Sequence, residues 1–154
     1  MNAILDGAPG GGTPLCYHVN EVARQIAAIA PDLRAAGKKA ALIICTDGEA
    51  SDGDITVALR PLHDLPVWVV IRLCTDEDPI VRYWANVDGQ LELNMDVLDD
   101  PIGEAKEIQK VNNWLNYGLP LHRLREFGIT AKEMDALDEA KLTTEQMRAF
   151  CGFL

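Results

Sequence analysis

Two short apolar runs, residues 40–45 (Ala-Ala-Leu-Ile-Ile-Cys) and 67–71 (Val-Trp-Val-Val-Ile), stand apart from a chain whose other hydrophobic residues recur mainly at helical spacing. Continuous runs of this length, rich in branched side chains, predict strands buried on both faces, as in parallel sheets. The first run stops at Thr46-Asp47-Gly48. That places a carboxylate at the carboxyl end of an interior strand, where open α/β sheets hold their ligands. The second run continues through Arg72 and Leu73 to another acidic loop, Thr75-Asp-Glu-Asp-Pro79. Residues 91–97 alternate apolar and polar positions, the pattern of an edge strand.

Helices are predicted around these strands. Leu15, Val19, Val22, Ile26, Ile29 and Leu33 follow at three- and four-residue spacings, one apolar helical face. Thr13 suits its N-cap and Pro14 its first position. Pro31 is expected to bend or shorten the last turns, and Gly37 to end them, with Lys38 and Lys39 near the helix's negative end. Asp54 caps a short helix to about Leu62, and another runs around residues 80–86. Pro101 opens a helix to about Tyr117, with Ile102, Ile108, Val111, Trp114 and Leu115 facing inward. At the start of the chain, Ala3, Ile4 and Leu5 suit a last helical turn and residues 7–12 a flexible turn. After Gly118 three short helices are predicted at 119–127, 130–141 and 143–150, with capping-box spacings at Thr130/Glu133 and Thr143/Gln146. Strand, helix and strand across 40–73 form a βαβ unit. The chain therefore reads as an α/β fold with a mainly parallel, Rossmann-like sheet (1–117) and a helical extension (118–154).

Composition narrows the partners. Against 14 basic residues stand 24 acidic ones, a net charge of -10, which argues against nucleic acid. The charge fits a cation site or a basic partner, and equally plain solubility. No apolar run approaches the ~18 residues of a membrane span. The first residues lack the basic segment and apolar core of a signal peptide. Cys16, Cys45, Cys74 and Cys151 are scattered, without a Cys-x-x-Cys pair. Cys45 and Cys74 end predicted strands and read as small core residues, so reduced thiols in the cytoplasm are expected.

Three signatures in order carry a family resemblance: Gly11-Gly12-Thr13-Pro14-Leu15 at a helix start, the apolar strand ending Thr46-Asp47-Gly48, and Leu65-Pro66-Val67 leading a second strand. Over about residues 3–117 the chain resembles the C-terminal portion of a von Willebrand factor A (vWA) domain. The resemblance implies a doubly wound sheet flanked by helices and a divalent-cation-dependent adhesion site at its top. It matches Thr13 to the threonine of the family's second metal loop and Asp47 to the aspartate of the third. A hydroxyl and a carboxylate are hard oxygen ligands suited to Mg²⁺ with retained waters. A protein partner's acidic side chain would fill the open position. The family's first metal loop, Asp-x-Ser-x-Ser, is missing from the sequence, whose only serine is Ser51. A truncated gene product is the first expectation, with a split partner chain or a rearranged minimal fold as alternatives.

Each candidate also has a simpler role. Thr13 serves as an N-cap without metal, and Asp47 favours a turn before Gly48. Glu49, Asp52 and Asp54 read as solvated or capping residues. His18, His63 and His122 lack metal-like spacing, and Trp68, Trp84 and Trp114 read as core anchors. The leading expectation is a non-enzymatic protein–protein interaction module. A metal-dependent hydrolase or phosphotransfer domain using Asp47 with Asp52 or Asp76 is a second reading. A metal-free scaffold acting through its acidic surface or helical tail is a third.

Overall fold

Residues 67–73 form the strand their composition demands, and the rest of the sheet is laid beside it. The computed structural model describes residues 11–91, 93–129 and 132–153; the helix end expected at residues 3–5 and the Thr130 cap lie outside them. In chain order the elements are α1 (Leu15–Ala35), β1 (Ala40–Thr46), α2 (Ile55–Leu59), a 3₁₀ turn (Arg60–Asp64), β2 (Val67–Leu73), α3 (Asp78–Gln90), β3 (Met95–Leu98), α4 (Pro101–Val111), α5 (Leu119–Glu126), α6 (Lys132–Asp135) and α7 (Thr144–Phe153). The three strands run parallel in the order β1-β2-β3. This is the expected α/β architecture, with C-terminal helices. No helix among the described residues is long and apolar enough to cross a membrane.

The register sorts the strands into two faces. Leu42 and Ile44 of β1 lie beside Val69 and Ile71 of β2, which in turn lie beside Met95 and Val97 of β3. This face is covered by α1, α2 and α3, whose Val19, Ile26, Ile55, Leu59, Trp84 and Val87 share its core. On the opposite face, Trp68, Val70 and Leu98 form a smaller cluster. Gly128, just past α5, closes on it with φ near +77°, and a Cβ there would lie 3.1 Å from the Ala41 Cβ. Only glycine combines that left-handed backbone with so close an approach.

Arg125 joins α5 to that second face. Its side chain is 1 % exposed and clamps Asp96 of β3 through Nε and Nη2 at 3.1 and 2.9 Å. Nη1 donates to Glu104 of α4 at 2.7 Å, and Nη2 also donates to Asp138 at 3.0 Å. Burial pushes the Glu104 carboxyl up to about 7, with Arg125 and the Asp99 amide only partly opposing it. Beside this knot, Glu126 accepts from Arg72 Nε at 2.7 Å and lies 3.4 Å from the buried His122. The α4 helix then shares a core with the C-terminal segment, Ile108 packing with Tyr117, Met134, Leu137, Leu142 and Phe150. Asn112 stitches the two together: Nδ2 donates to the carbonyls of Leu137 and Ala140, and Oδ1 accepts from the Leu142 amide.

Several expectations are corrected. Among the described residues the β1 strand is an edge, not an interior strand buried on both faces: Ala41, Ile43 and Cys45 are exposed, and the strand lines up beside β2 alone. Continuous apolar sequence describes β2, which has neighbours on both sides, but cannot show how many neighbours a strand has. Cys45 and Cys74 are exposed free thiols, as is Cys151, and only Cys16 is buried. The α1 face that packs inward is Cys16, Val19, Ala23, Ile26 and Ala30, leaving Ile29 49 % exposed; Pro31 sits inside the helix without ending it. The α4 helix stops at Val111, where the buried Asn112 is drawn into its own hydrogen bonds, so Trp114 lies beyond it and is partly exposed. Ile102 is exposed as well. The final strand, β3, is an edge as expected, but it begins at Met95 and is largely buried. The capping box at Thr143 and Gln146 forms as its spacing predicts.

Candidate functional site

The turn after β1 is fixed by its own threonine. Thr46 Oγ1 donates to the Gly48 carbonyl at 3.0 Å and accepts from the Gly48 amide at 3.3 Å. The indole of Trp84 adds a second donor to the same carbonyl at 3.1 Å. Asp47 stands exposed at the tip of this turn. The Thr46 carbonyl in turn accepts from the Cys74 amide, so the β1 and β2 loops leave the sheet side by side.

The loop that follows folds back onto the start of α1. The Ser51 amide donates to the Thr13 carbonyl at 2.9 Å, and a Cβ at Gly12 would meet Ser51 Oγ at 2.6 Å. Asp52 receives the Cys16 amide on Oδ1 at 3.0 Å and the Tyr17 amide on Oδ2 at 2.8 Å. Those are first-turn donors that a helix cannot satisfy internally, and a carboxylate there also meets the positive end of the helix dipole. Desolvation pushes the Asp52 carboxyl up, but the Tyr17 and Cys16 amides outweigh it and hold it below the ordinary value. Burial and the Asp52 charge together push the Cys16 thiol up.

This corrects the role read for Thr13 as a cap. The N-cap position belongs to Pro14, which offers no side-chain bond, and Asp52 supplies the cap from 36 residues downstream. Thr13 itself is exposed. The segments carrying Thr13 and Asp47 are thus brought to one rim of the molecule, at the carboxyl end of β1. Two of the neighbouring acids are engaged elsewhere, while Glu49 is exposed. Asp52 uses both oxygens on α1, and Asp54 caps α2 by accepting from the Thr56 amide and hydroxyl, which lower its carboxyl. Among the described residues no group of three or more His, Cys, Asp or Glu side chains is placed to hold a metal ion. Thr13 and Asp47 by themselves would offer a cation one hydroxyl and one carboxylate, a partial set for an octahedral ion that keeps several waters.

An open cleft of about 530 Å³ lies along the same end of the sheet, past β2, lined by Arg72, Cys74, Thr75, Asp76 and Asp100. Arg72 is held there by Glu126 and by the Asp99 carbonyl. Sequence reasoning passed over Arg72 and Arg125, and read Asp52 as a solvated or capping residue without identifying the distant helix it caps. Each acts across a long sequence separation, and the one local hint was a lone arginine inside an apolar strand. No family model, curated protein or solved structure matches this chain.

Proposed function

We propose that this chain is a protein–protein interaction module of the von Willebrand factor A type, which meets its partner at the carboxyl end of the sheet. Thr13 and Asp47 contribute two ligands to a Mg²⁺ ion there, waters keep others, and an acidic side chain of the partner completes the shell. The observation that supports the reading is the 2.9 Å bond from Ser51 to the Thr13 carbonyl, which ties the Asp47 loop to the glycine-rich entry of α1. Two stretches more than thirty residues apart in sequence thereby share one rim, and each presents an exposed hard oxygen donor.

With so few protein ligands, affinity for the free ion is expected to be weak and to rise when a carboxylate partner is present. Calorimetric titration with Mn²⁺ as the probe, with and without an acidic peptide, tests this in the wild type, Asp47→Ala and Thr13→Ala. Weak binding that either substitution removes supports the site. Binding indifferent to Asp47→Ala, or no heat at any concentration, refutes the cation role and leaves a metal-free scaffold.

A further inference from the structure

Among the described residues, one edge of β1 has no neighbouring strand. Ala40 donates its amide to Pro66 and Thr46 accepts from Cys74, so the even-numbered residues of β1 turn their backbone groups toward β2. The amides and carbonyls of Ala41, Ile43 and Cys45 therefore point outward, along an edge where the sheet has no further strand among the described residues. The side chains of these residues are exposed too, Ile43 by 40 %. Edge strands are ordinarily guarded by an inward charge, a proline or a bulge. Residues 40–46 carry no charge and no proline.

Beside the edge, an open groove of about 260 Å³ separates it from α1, lined by Leu15, Val22, Leu42 and Ile43 among others. Ile29, one heptad beyond Val22, continues the same apolar flank of the helix. The charges sit at the two ends of the strand and are of opposite sign. Lys38 and Lys39 precede it, Asp47 and Glu49 follow it, and all four are exposed.

We infer that this edge pairs with the β1 edge of a second copy of the chain, antiparallel about a two-fold axis through Ile43. The register follows from the sequence. Ile43 meets its own copy, Ala41 meets Cys45, and Lys39 meets Asp47, twice by symmetry. These odd-numbered residues are the ones whose backbone groups are open, so the same alignment that matches the charges also completes the hydrogen-bond ladder. Ala41, Ile43 and Cys45 share one face and form a stripe that is complementary to its own reverse. On the other face, the apolar flanks of the two α1 helices approach antiparallel over the joined sheet. Such an interface is isologous and closes at the dimer. A parallel pairing would instead bring Lys39 near lysine and Asp47 near aspartate. The pairing draws on Asp47, the carboxylate also proposed as a cation ligand, so its test is run without metal.

The test is sedimentation velocity and light scattering on the full 154-residue chain, with EDTA present so that metal binding does not enter the readout. Salt near 0.15 M screens the repulsion between two acidic bodies beyond ~8 Å while leaving the touching pairs. A reversible monomer–dimer equilibrium is expected. Ile43→Lys should be monomeric at every concentration, with the circular dichroism and melting of a folded protein. Lys39→Glu alone, and Asp47→Lys alone, should each raise the dimer dissociation constant about tenfold, from two cross-strand pairs reversed in sign. The double variant Lys39→Glu/Asp47→Lys should return it to near the wild-type value. Because both charges are exposed, this exchange decides the matter even where Ile43→Lys fails to fold. A wild type that stays monomeric, association that grows without limit, a dimer indifferent to Ile43→Lys, or a double variant no tighter than the singles would overturn the proposal.

Discussion

Replacing Arg125 by methionine keeps an unbranched apolar stem and removes the guanidinium, and the structure sets the size of the response. The guanidinium is 1 % exposed and serves three carboxylates: Asp96 through two bonds, Glu104 at 2.7 Å and Asp138 at 3.0 Å. Asp96 and Glu104 are themselves buried, so water cannot replace the lost donors without opening the junction between α5, β3 and α4. Breaking a buried pair by deleting one partner costs about 3–5 kcal/mol. Set against a total stability of about 5–15 kcal/mol, that removes a large part of the reserve. The loss carries a pH signature that lost packing alone would not. Glu104 already titrates at about 7, above its ordinary 4.5, because it is buried. A carboxyl raised in the folded state favours folding when protonated and loses that advantage as pH rises through its folded value. Without Arg125 it should titrate higher still. Arg125→Met should therefore be most damaging near pH 8, and should recover part of its deficit near pH 5. Urea denaturation followed by circular dichroism at the two pH values measures this. A deficit below about 1 kcal/mol at the higher pH, or one of equal size at both, refutes the assignment of Arg125 as the counter-ion of a buried acidic cluster.

Other consequences are as direct. Asp52→Ala should lower the melting temperature by exposing two unpaired amides at the start of α1, with Asp52→Asn retaining part of the effect; because its carboxyl is held low, the contribution is present above about pH 4 and fades below it. Asn112→Ala leaves the buried Leu137 carbonyl and the Leu142 amide without their partner, and should cost about 2–4 kcal/mol. Amide exchange should quicken most at Leu142 and in the segment around Leu137, and unchanged protection there would sink the assignment.

The local grammar of this chain was readable without coordinates. Both apolar runs are strands, Asp54 caps its helix, and Thr143 and Gln146 close their box, because each depends on residues within a few positions of one another. The α/β class followed from the alternation of such segments. The site was half legible. Sequence order put Asp47 after a strand and Thr13 before a helix, but the bond that brings their segments together is made by the backbone of Ser51. Composition could not separate β1 from β2, since the number of neighbouring strands is a property of the sheet. It could not show that α1 is capped from the far side of β1 by Asp52. Nor could it show that a charged residue in a polar-looking helix, Arg125, is among the most buried side chains. What the amino-acid order determines alone is where hydrogen bonds and apolar faces repeat locally. Which carboxylates share an arginine, and which edge is left open, depend on contacts between distant segments, and only the assembled fold decides them.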